Sequence, residues 1–141
     1  MKTRFAHIAE WFEHLTPATL GSLNTIYAPG VRFRDPFNDI SGCEAVSAVY
    51  RHMFDTLNEP VFVIDRIVAD GDQAFMVWQF KFGWRGQPQL IEGCTHFRLN
   101  AQGLITLHRD YWDAAQELYE KLPLLGILLR ALRRKMRAPL S

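Results

Sequence analysis

The chain has 141 residues, of which 48% are hydrophobic and 22% are charged, and its formal net charge is +1. This length is typical of one domain with a real core, and the composition excludes long disordered tracts. The near-neutral charge gives no general electrostatic attraction to phosphate backbones, so we expect no nucleic-acid partner.

The cysteines and the N-terminal segment indicate the compartment. Cys43 and Cys94 lie far apart and outside any CxxC spacing, which favours neither a disulfide framework nor a zinc site. The N-terminal segment carries charges and histidines where a signal peptide needs an apolar run, and no run of about 18 apolar residues occurs. We therefore expect a cytoplasmic protein, and no motif implies a metal or a cofactor.

Two helices are predicted in the first part of the chain. Apolar residues recur at steps of three and four over residues 3–15, which indicates an amphipathic helix. Thr16 and Pro17 are typical of an N-cap and a first helical position, and apolar residues then recur as far as Tyr27. We expect these two helices to form a hairpin.

A short strand and a third helix follow. Alternating apolar and charged residues predict a half-buried strand over residues 31–34, which ends at Asp35 and Pro36. Ser41 and Glu44 have the spacing of a capping box, and the apolar residues after them predict a helix that ends before residue 60. This helix should lie across a sheet.

Four long strands are predicted in the second half of the chain. Runs rich in β-branched and aromatic residues cover about residues 61–69, 73–82, 89–99 and 104–112, and Asp70-Gly71 is a hairpin signal. The order of elements predicts an α+β fold, in which three helices from the N-terminal half pack on one side of a curved antiparallel sheet.

Two segments resemble a known family. Residues 27–36, which read YAPGVRFRDP, and residues 95–100, which read THFRLN, resemble segments of the nuclear transport factor two-like superfamily. That superfamily includes ketosteroid isomerase and the SnoaL-like polyketide cyclases. The resemblance covers residues 3–113 and implies a cone-shaped domain over residues 1–113 that encloses a pocket. It also implies a homodimer formed through the open sheet face.

The resemblance implies site residues as well. Asp35 matches the aspartate that abstracts a proton in ketosteroid isomerase, while Trp11 and Thr95 stand where that enzyme has the tyrosine and the acid of its oxyanion hole. We therefore do not expect its mechanism of steroid isomerisation here. SnoaL-like cyclases place a catalytic aspartate on the final strand, and this residue is similar to Asp110.

The period of the last strand gives an independent prediction. Thr106, His108, Asp110 and Trp112 share one face. His108 could orient Asp110 as a general base that abstracts a proton alpha to a carbonyl or activates a water, with Asp35 as a second carboxylate. The alternative is an ion pair between Asp110 and one of the nearby arginines, Arg34, Arg98 or Arg109, with His108 as a space-filling residue.

The predicted ligand contacts are large apolar side chains and a few polar ones. On the strand over residues 73–82 the apolar side chains fall on one face, which is equally typical of a plain core. Under the cone geometry that the resemblance implies, we expect a small apolar or polycyclic ligand to contact Trp11, Tyr50, Met53, Met76, Trp78, Phe80, Thr95, Phe97 and Trp112. His7 and His14 lie two helical turns apart, too far to share a metal ion with Glu10.

Residues 114–141 form a further segment. Leucines concentrate in its first half and basic residues in its second, which predicts an amphipathic, basic helical extension. It could dock on a partner or on the cone, or lie on an anionic membrane surface, and we favour docking. Two functions stay open for the whole chain: a cofactor-independent isomerase, cyclase or dehydratase, and a non-catalytic ligand-binding or interaction module.

Overall fold

The computed structural model describes residues 2–113 and, beyond them, residues 127, 131, 134 and 135. Its elements are α1 (Lys2–Glu13), a 3-10 helix (Ala18–Thr25), β1 (Tyr27–Arg34), β2 (Asp39–Ser41), α2 (Cys43–Thr56), β3 (Asn58–Asp70), β4 (Gln73–Trp84), β5 (Gln87–Leu99) and β6 (Ile105–Tyr111). The predicted extension over residues 114–141 lies outside the described residues apart from those four positions, and so it stays a prediction.

The six strands form one curved, open sheet in the order β2-β1-β6-β5-β4-β3. Every neighbouring pair is antiparallel except β1 and β6, which are parallel. The expectation of a wholly antiparallel sheet is wrong at this pair, because β6 returns to the middle of the sheet beside the first strand. The parallel pairing places Phe33 opposite His108.

The helices cover the inner face of the sheet and bury it. On β4 the side chains of Met76, Trp78, Phe80 and Phe82 are all buried, as their position on one face of the strand predicts. Phe5, Ile8 and Phe12 on α1 pack into the same cluster, so one core lies between the helices and the sheet. The structure confirms the α+β cone.

The second helix differs from its prediction. It is a 3-10 helix that ends at Thr25, and Tyr27 already belongs to β1. Its buried residues Leu20 and Leu23 are three positions apart, and buried Ile26 follows three positions after Leu23. A spacing of three matches the period of a 3-10 helix better than that of an α-helix. The strand therefore begins four residues earlier than the alternation of residues 31–34 predicts.

The start of α2 also differs. Ser41 belongs to β2, which the sequence did not predict, and no side chain caps the helix. Gly42 is the N-cap residue and has φ of +93°, a conformation that a residue with a Cβ adopts only with strain. The turn at Gly42, instead of a capping box, directs the chain from the sheet edge into the helix.

A bulge interrupts the alternation at the start of β6. Arg98 pairs with Leu107 and Leu99 pairs with Ile105, so Thr106 is left between the two pairs. Thr106 is exposed, against the prediction that it shares the inner face. Beyond the bulge the predicted alternation holds, because His108 and Asp110 lie opposite Phe97 and Thr95 on the inner side.

Candidate active site

A cavity of about 750 Å³ lies between α2, the β1–β2 loop and the inner face of the sheet. This volume suits a small organic molecule. Most of its wall is apolar and aromatic, with Trp78, Phe80 and Phe82 contributed by β4. The polar residues that line it are Asp35, Asn38, Tyr50, His52, Thr56 and Asp110.

Asp110 is held at the cavity wall by two donors on one of its oxygens. Its Oδ1 accepts a hydrogen bond from Thr95 Oγ1 at 2.5 Å and lies 2.8 Å from His108 Nε2. No described residue donates to its Oδ2, and the side chain is 16% exposed. The carboxylate is therefore fixed in orientation, with its second oxygen free to meet a ligand.

The hydroxyl of Thr95 has a defined direction. Trp78 Nε1 donates to Thr95 Oγ1 at 2.8 Å, so the threonine oxygen accepts from the indole and its own proton goes to Asp110. Thr95 is only 1% exposed, and its hydroxyl is thus satisfied on both sides, as a buried polar group requires.

A histidine and two tyrosines extend this network away from Asp110. With Asp110 ionised, the carboxylate can only accept, so a neutral His108 carries its proton on Nε2 and accepts at Nδ1. In that tautomer Tyr27 donates to Nδ1 at 2.8 Å, and the hydroxyls of Tyr27 and Tyr50 lie 2.9 Å apart. Burial, reinforced by neighbouring acidic groups, raises the pKa of both tyrosines well above their ordinary value.

Aromatic rings surround the imidazole of His108. The rings of Phe33, Phe97 and Phe12 lie at centroid distances of 4.4, 5.1 and 5.8 Å. His108 therefore meets solvent at only 2% of its surface, and its two nitrogens find their partners in Asp110 and Tyr27.

The alternative predicted from the sequence is an ion pair between Asp110 and Arg34, Arg98 or Arg109. This ion pair does not form in the described part of the chain. Among the described residues Asp110 forms no salt bridge to an arginine or a lysine, and its contact with His108 is the hydrogen bond given for Nε2. Arg109 points the other way, and its guanidinium lies 4.7 Å from the ring centre of Tyr111. Asp110 is thus a carboxylate at the wall of an apolar cavity with no arginine or lysine partner among the described residues.

Asp35 also lines the cavity, but its oxygens are occupied. Oδ1 accepts from the backbone N–H groups of Phe37 and Asn38 at 2.8 and 2.7 Å, and the Asn38 side chain donates to both oxygens at 3.1 Å. These bonds form the turn that links β1 to β2. Asp35 therefore shapes the loop beside the cavity.

Most of the predicted ligand contacts lie at the cavity. Tyr50 and Met53 on α2, Trp78 and Phe80 on β4, and Trp112 line it. Trp112 lies against Phe37, with ring centres 5.6 Å apart. Thr95 does not line the cavity, but it reaches the cavity through its bond to Asp110.

Three predicted contacts lie elsewhere. Trp11 is half-buried and packs against the core, where its ring lies 6.1 and 6.3 Å from the rings of Tyr27 and Tyr50 and its indole donates to Ser22 Oγ at 3.1 Å. Met76 and Phe97 are each 1% exposed and are packed in the core under α1. The strand period gives their correct face, but it does not distinguish the filled part of the cone from the hollow part.

Tyr27 was missed as a site residue. The sequence places it at the end of a helical stripe, whereas the structure places it at the start of β1, completely buried, with its hydroxyl between His108 and Tyr50. A signal for it exists in the sequence: a tyrosine in a buried position needs a hydrogen-bond partner.

Gly93 makes room for the aromatic wall. A Cβ built on Gly93 would lie 2.7 Å from Trp78 and 2.9 Å from Trp112, closer than atoms can approach without a shift. The missing side chain on β5 therefore leaves room for the Trp78 indole, which donates to Thr95.

Metal binding and membrane spanning find no support in the described residues. Among them no three side chains of the histidine, cysteine, aspartate or glutamate type cluster as metal ligands. Within the same part of the chain, every helix is too short or too polar to cross a bilayer.

The fold and this site define an α+β cone domain with an internal cavity and a partly buried carboxylate. The chain belongs to the SnoaL-like domain family, whose model matches residues 8–108. The match ends at His108, so Asp110 lies just beyond it. A search of curated proteins found no significant match.

Solved structures with the same fold are similar to this chain at low identity. An NTF2-like protein of unknown function from Burkholderia pseudomallei has a TM-score of 0.73 at 18% identity, over 82% of this chain and 95% of its own. A putative SnoaL-like polyketide cyclase from Shewanella putrefaciens gives 0.71 at 18%, over 84% and 94%.

A third structure carries a small molecule. A protein of ketosteroid isomerase-like fold from Catenulispora acidiphila, in complex with trimethylamine, gives a TM-score of 0.68 at 18% identity, over 82% of this chain and 88% of its own. Likeness at this level of identity shows the fold, and the chemistry must be argued from the residues at the site.

Proposed function

We propose that this protein binds a small apolar or polycyclic carbonyl compound in the cavity and moves a proton on it without a cofactor, as an isomerase, cyclase or dehydratase. The observation that carries the proposal is Asp110, a carboxylate with one pinned oxygen and one open oxygen at the wall of an apolar cavity. A general base needs this combination of fixed geometry and low solvation.

The roles follow from the contacts. Asp110 Oδ2 accepts a proton from a carbon next to a carbonyl group. Thr95 and His108 hold Oδ1 and stabilise its negative charge, which keeps the open oxygen aimed into the cavity. Asp35 contributes a second negative charge at the cavity wall and holds the adjoining loop in place.

The aromatic wall supports the choice of substrate. Trp78, Phe80 and Phe82 present flat apolar surfaces, which fit a ring system better than a charged or flexible chain. Such a ligand displaces water from the cavity, and the loss of water strengthens the interaction of Asp110 with the reacting carbon acid.

The decisive experiment removes the base. With 2-tetralone as the probe, NMR in D2O follows exchange of the protons next to the carbonyl group. We expect Asp110→Asn to lower the exchange rate by about 10²–10⁴-fold with little effect on folding, since the amide keeps the shape of the side chain. Asp55→Asn, a matched change on the exposed side of α2, should leave the rate unchanged.

A non-catalytic ligand-binding module is the second candidate. It is favoured by the hydrogen bonds that already occupy Asp35 and one oxygen of Asp110. Under this function, 2-tetralone binds to the wild type and to Asp110→Asn, and neither protein accelerates exchange. That outcome would reject the enzymatic proposal while retaining the cavity as a binding site.

We further propose that two copies associate through the outer face of the sheet. The large apolar side chains exposed there are Val61, Val63, Val68, Phe75, Leu90 and Tyr111. Exposed apolar patches of this kind are typical of interfaces. The extension over residues 114–141, outside the described residues apart from the four positions given above, is proposed to dock on a partner or on the cone.

A further inference from the structure

The cavity has acidic side chains in its wall and no strongly basic ones. Asp35 and Asp110 line it, and no lysine or arginine does so among the described residues. Arg34 and Arg109 lie next to these acids in the chain, but they line a neighbouring hollow instead. His52 also lines the cavity, on the exposed side of α2. The wall therefore carries negative charge that no basic side chain of its interior balances.

The hydrogen-bond donors beside Asp110 are already engaged within the protein. Trp78 Nε1 donates to Thr95, and the proton of Thr95 goes to Asp110. Neither donor is left for a ligand. What this part of the wall offers is the second carboxylate oxygen of Asp110, which is an acceptor.

Tyr50 is a second acceptor in the same wall. In the tautomer with a neutral His108 that accepts at Nδ1, Tyr27 donates to the imidazole, and so Tyr50 donates to the Tyr27 oxygen. A tyrosine hydroxyl has a single proton. Tyr50 therefore presents lone pairs, and no proton, to the cavity that it lines.

Asn38 supplies a third acceptor. Its side-chain nitrogen donates to both oxygens of Asp35 at 3.1 Å. Because a carboxylate only accepts, the amide oxygen of Asn38 has to point away from Asp35, and no described residue donates to it. The donors that remain among the described lining residues, on Thr56, Trp84, Trp112 and His52, belong to side chains that are at least partly exposed.

We propose that the ligand carries a protonated amino group, which lies at the end of the cavity formed by Asp35, Asn38 and Tyr50. The inference rests on the proposed function and deepens it, since the substrate class becomes a ring carbonyl compound with an ammonium group. Asp35 is the counterion of this group, and Asp110 is left free to act as the base.

Asp35 balances the ligand charge although its oxygens are occupied. Its four hydrogen bonds come from neutral N–H groups of Phe37 and Asn38, which stabilise a carboxylate without cancelling its charge. Burial is the largest cause of the raised pKa of Tyr50, and the charges of Asp110 and Asp35 both add to it. The charge of Asp35 is therefore felt at the Tyr50 hydroxyl.

Aromatic rings lie at the same end of the cavity. Phe37 follows Asp35 by two residues, its ring centre lies 5.6 Å from that of Trp112, and both rings line the cavity. Phe33, which also lines it, lies 6.0 Å from Tyr50. The faces of aromatic rings attract a cation. An ammonium group gains from these rings and from the carboxylates, whereas a neutral group of the same size gains from neither.

The test compares two ligands of the same shape, 2-aminotetralin and 2-tetralol. The amine is protonated at pH 7, as alkyl amines are, and the alcohol is a neutral donor. We expect the wild type to bind the amine about tenfold more tightly, the size of effect that a partly exposed carboxylate and aromatic rings have on a cation. Isothermal titration calorimetry measures both dissociation constants.

Two matched variants locate the charge. Asp35→Asn keeps an oxygen for the backbone N–H groups of the turn and loses the charge, so it should bind the two ligands equally, with alcohol binding unaltered. Asp39→Asn removes a charge that pairs with Arg32 outside the cavity, and it should keep the preference of the wild type. Circular dichroism checks both folds. If Asp35→Asn does not fold, Asp35→Ser replaces it, because a serine hydroxyl can accept in the same turn.

The outcomes separate the cationic ligand from the proposed function. A wild type that binds the amine no more tightly than the alcohol rejects the cationic ligand, whatever the exchange of 2-tetralone shows. A preference that survives the loss of the charge at position 35 rejects Asp35 as the counterion.

The base is judged separately. If the preference depends on Asp35, but Asp110→Asn exchanges the protons of 2-tetralone as fast as the wild type, the cationic ligand stands and Asp110 is rejected as the base. If neither 2-aminotetralin nor 2-tetralol binds, the cationic ligand is rejected and the exchange assay alone decides the proposed function.

Discussion

The two carboxylates at the cavity differ because their neighbours differ. Asp35 accepts hydrogen bonds from the backbone N–H groups of Phe37 and Asn38, which follow it in the same turn. Aspartate favours this local arrangement in loops. Asp110 lies in a strand, where its own backbone is engaged in the sheet and its side chain bonds to His108 on the same strand and to Thr95 on the next one. Aspartate therefore stabilises a turn at position 35 and presents an oxygen to the cavity at position 110.

The buried tyrosines set the response of the fold to alkaline pH. The raised pKa of Tyr27 and Tyr50 means that the folded state keeps both protons at a pH where the unfolded chain releases them. The free energy of unfolding should therefore be unaffected by these groups below about pH 10 and should fall above it, by about 1.4 kcal/mol per pH unit for each hydroxyl.

Urea denaturation between pH 8 and pH 11 measures this dependence. Tyr50→Phe removes one of the two hydroxyls, so its stability should fall less steeply than that of the wild type. Equal slopes in the two proteins would show that the Tyr50 hydroxyl ionises in the folded state as easily as in the unfolded chain.

At the scale of elements, the packing of β4 on β5 depends on one glycine. Gly93→Ala would bring a methyl group within 3 Å of Trp78 and Trp112. We expect a loss of stability of about 1–3 kcal/mol and a displaced indole that no longer donates to Thr95, because neither the strand backbone nor the large rings can yield easily.

Chemical denaturation and tryptophan fluorescence test this prediction. Gly30→Ala on β1 is the matched control, since no atom lies within 4 Å of the Cβ that it would add. A Gly93→Ala protein as stable as the Gly30→Ala protein, with unchanged fluorescence, would contradict the close packing.

The helices and strands also show how much of the secondary structure can be predicted from the sequence. The strands over residues 73–82 and 89–99 are predicted well, because long alternating runs of large apolar residues have one dominant interpretation. The 3-10 helix and β2 are not, since a three-residue spacing is easily taken for an α-helical one and a three-residue edge strand has almost no pattern of its own. The position of Tyr27 in a strand depends on its pairing with β6, which is far away in the sequence.

Part of the site was also predictable, because it lies on strands with a clear alternation of side chains. The strand period predicts that His108 and Asp110 share a face, and the resemblance to the family implies that this face points inward. Which inward residues meet a cavity does not, because the helices fill one end of the cone and leave the other hollow. Met76 and Trp78 share a face of β4, yet only Trp78 lines the cavity.

At the scale of the whole molecule, the outer face of the sheet makes an assembly testable. If two copies pair through this face, the wild type should elute and scatter light as a species of twice the chain mass. Phe75→Lys, which replaces a large apolar side chain of this face by a charged one, should shift it to the monomer mass, because a buried unpaired charge is costly at an interface.

Ala101→Lys, which adds the same charge in the exposed β5–β6 turn, is the control and should leave the mass unchanged. A wild type of single-chain mass at all accessible concentrations would reject the dimer. If Phe75→Lys keeps the mass of two chains, as Ala101→Lys does, the interface lies elsewhere.

The parallel pairing of β1 with β6 has a consequence for how the chain acquires its site. The bond between Tyr27 and His108 joins residues 81 positions apart, and such distant contacts form late because a long loop must close first. During synthesis the cavity wall can assemble strand by strand, but its polar groups meet only when nearly the whole cone has left the ribosome. Nascent chains stalled before that point would be folded in part and would lack the bond between Tyr27 and His108.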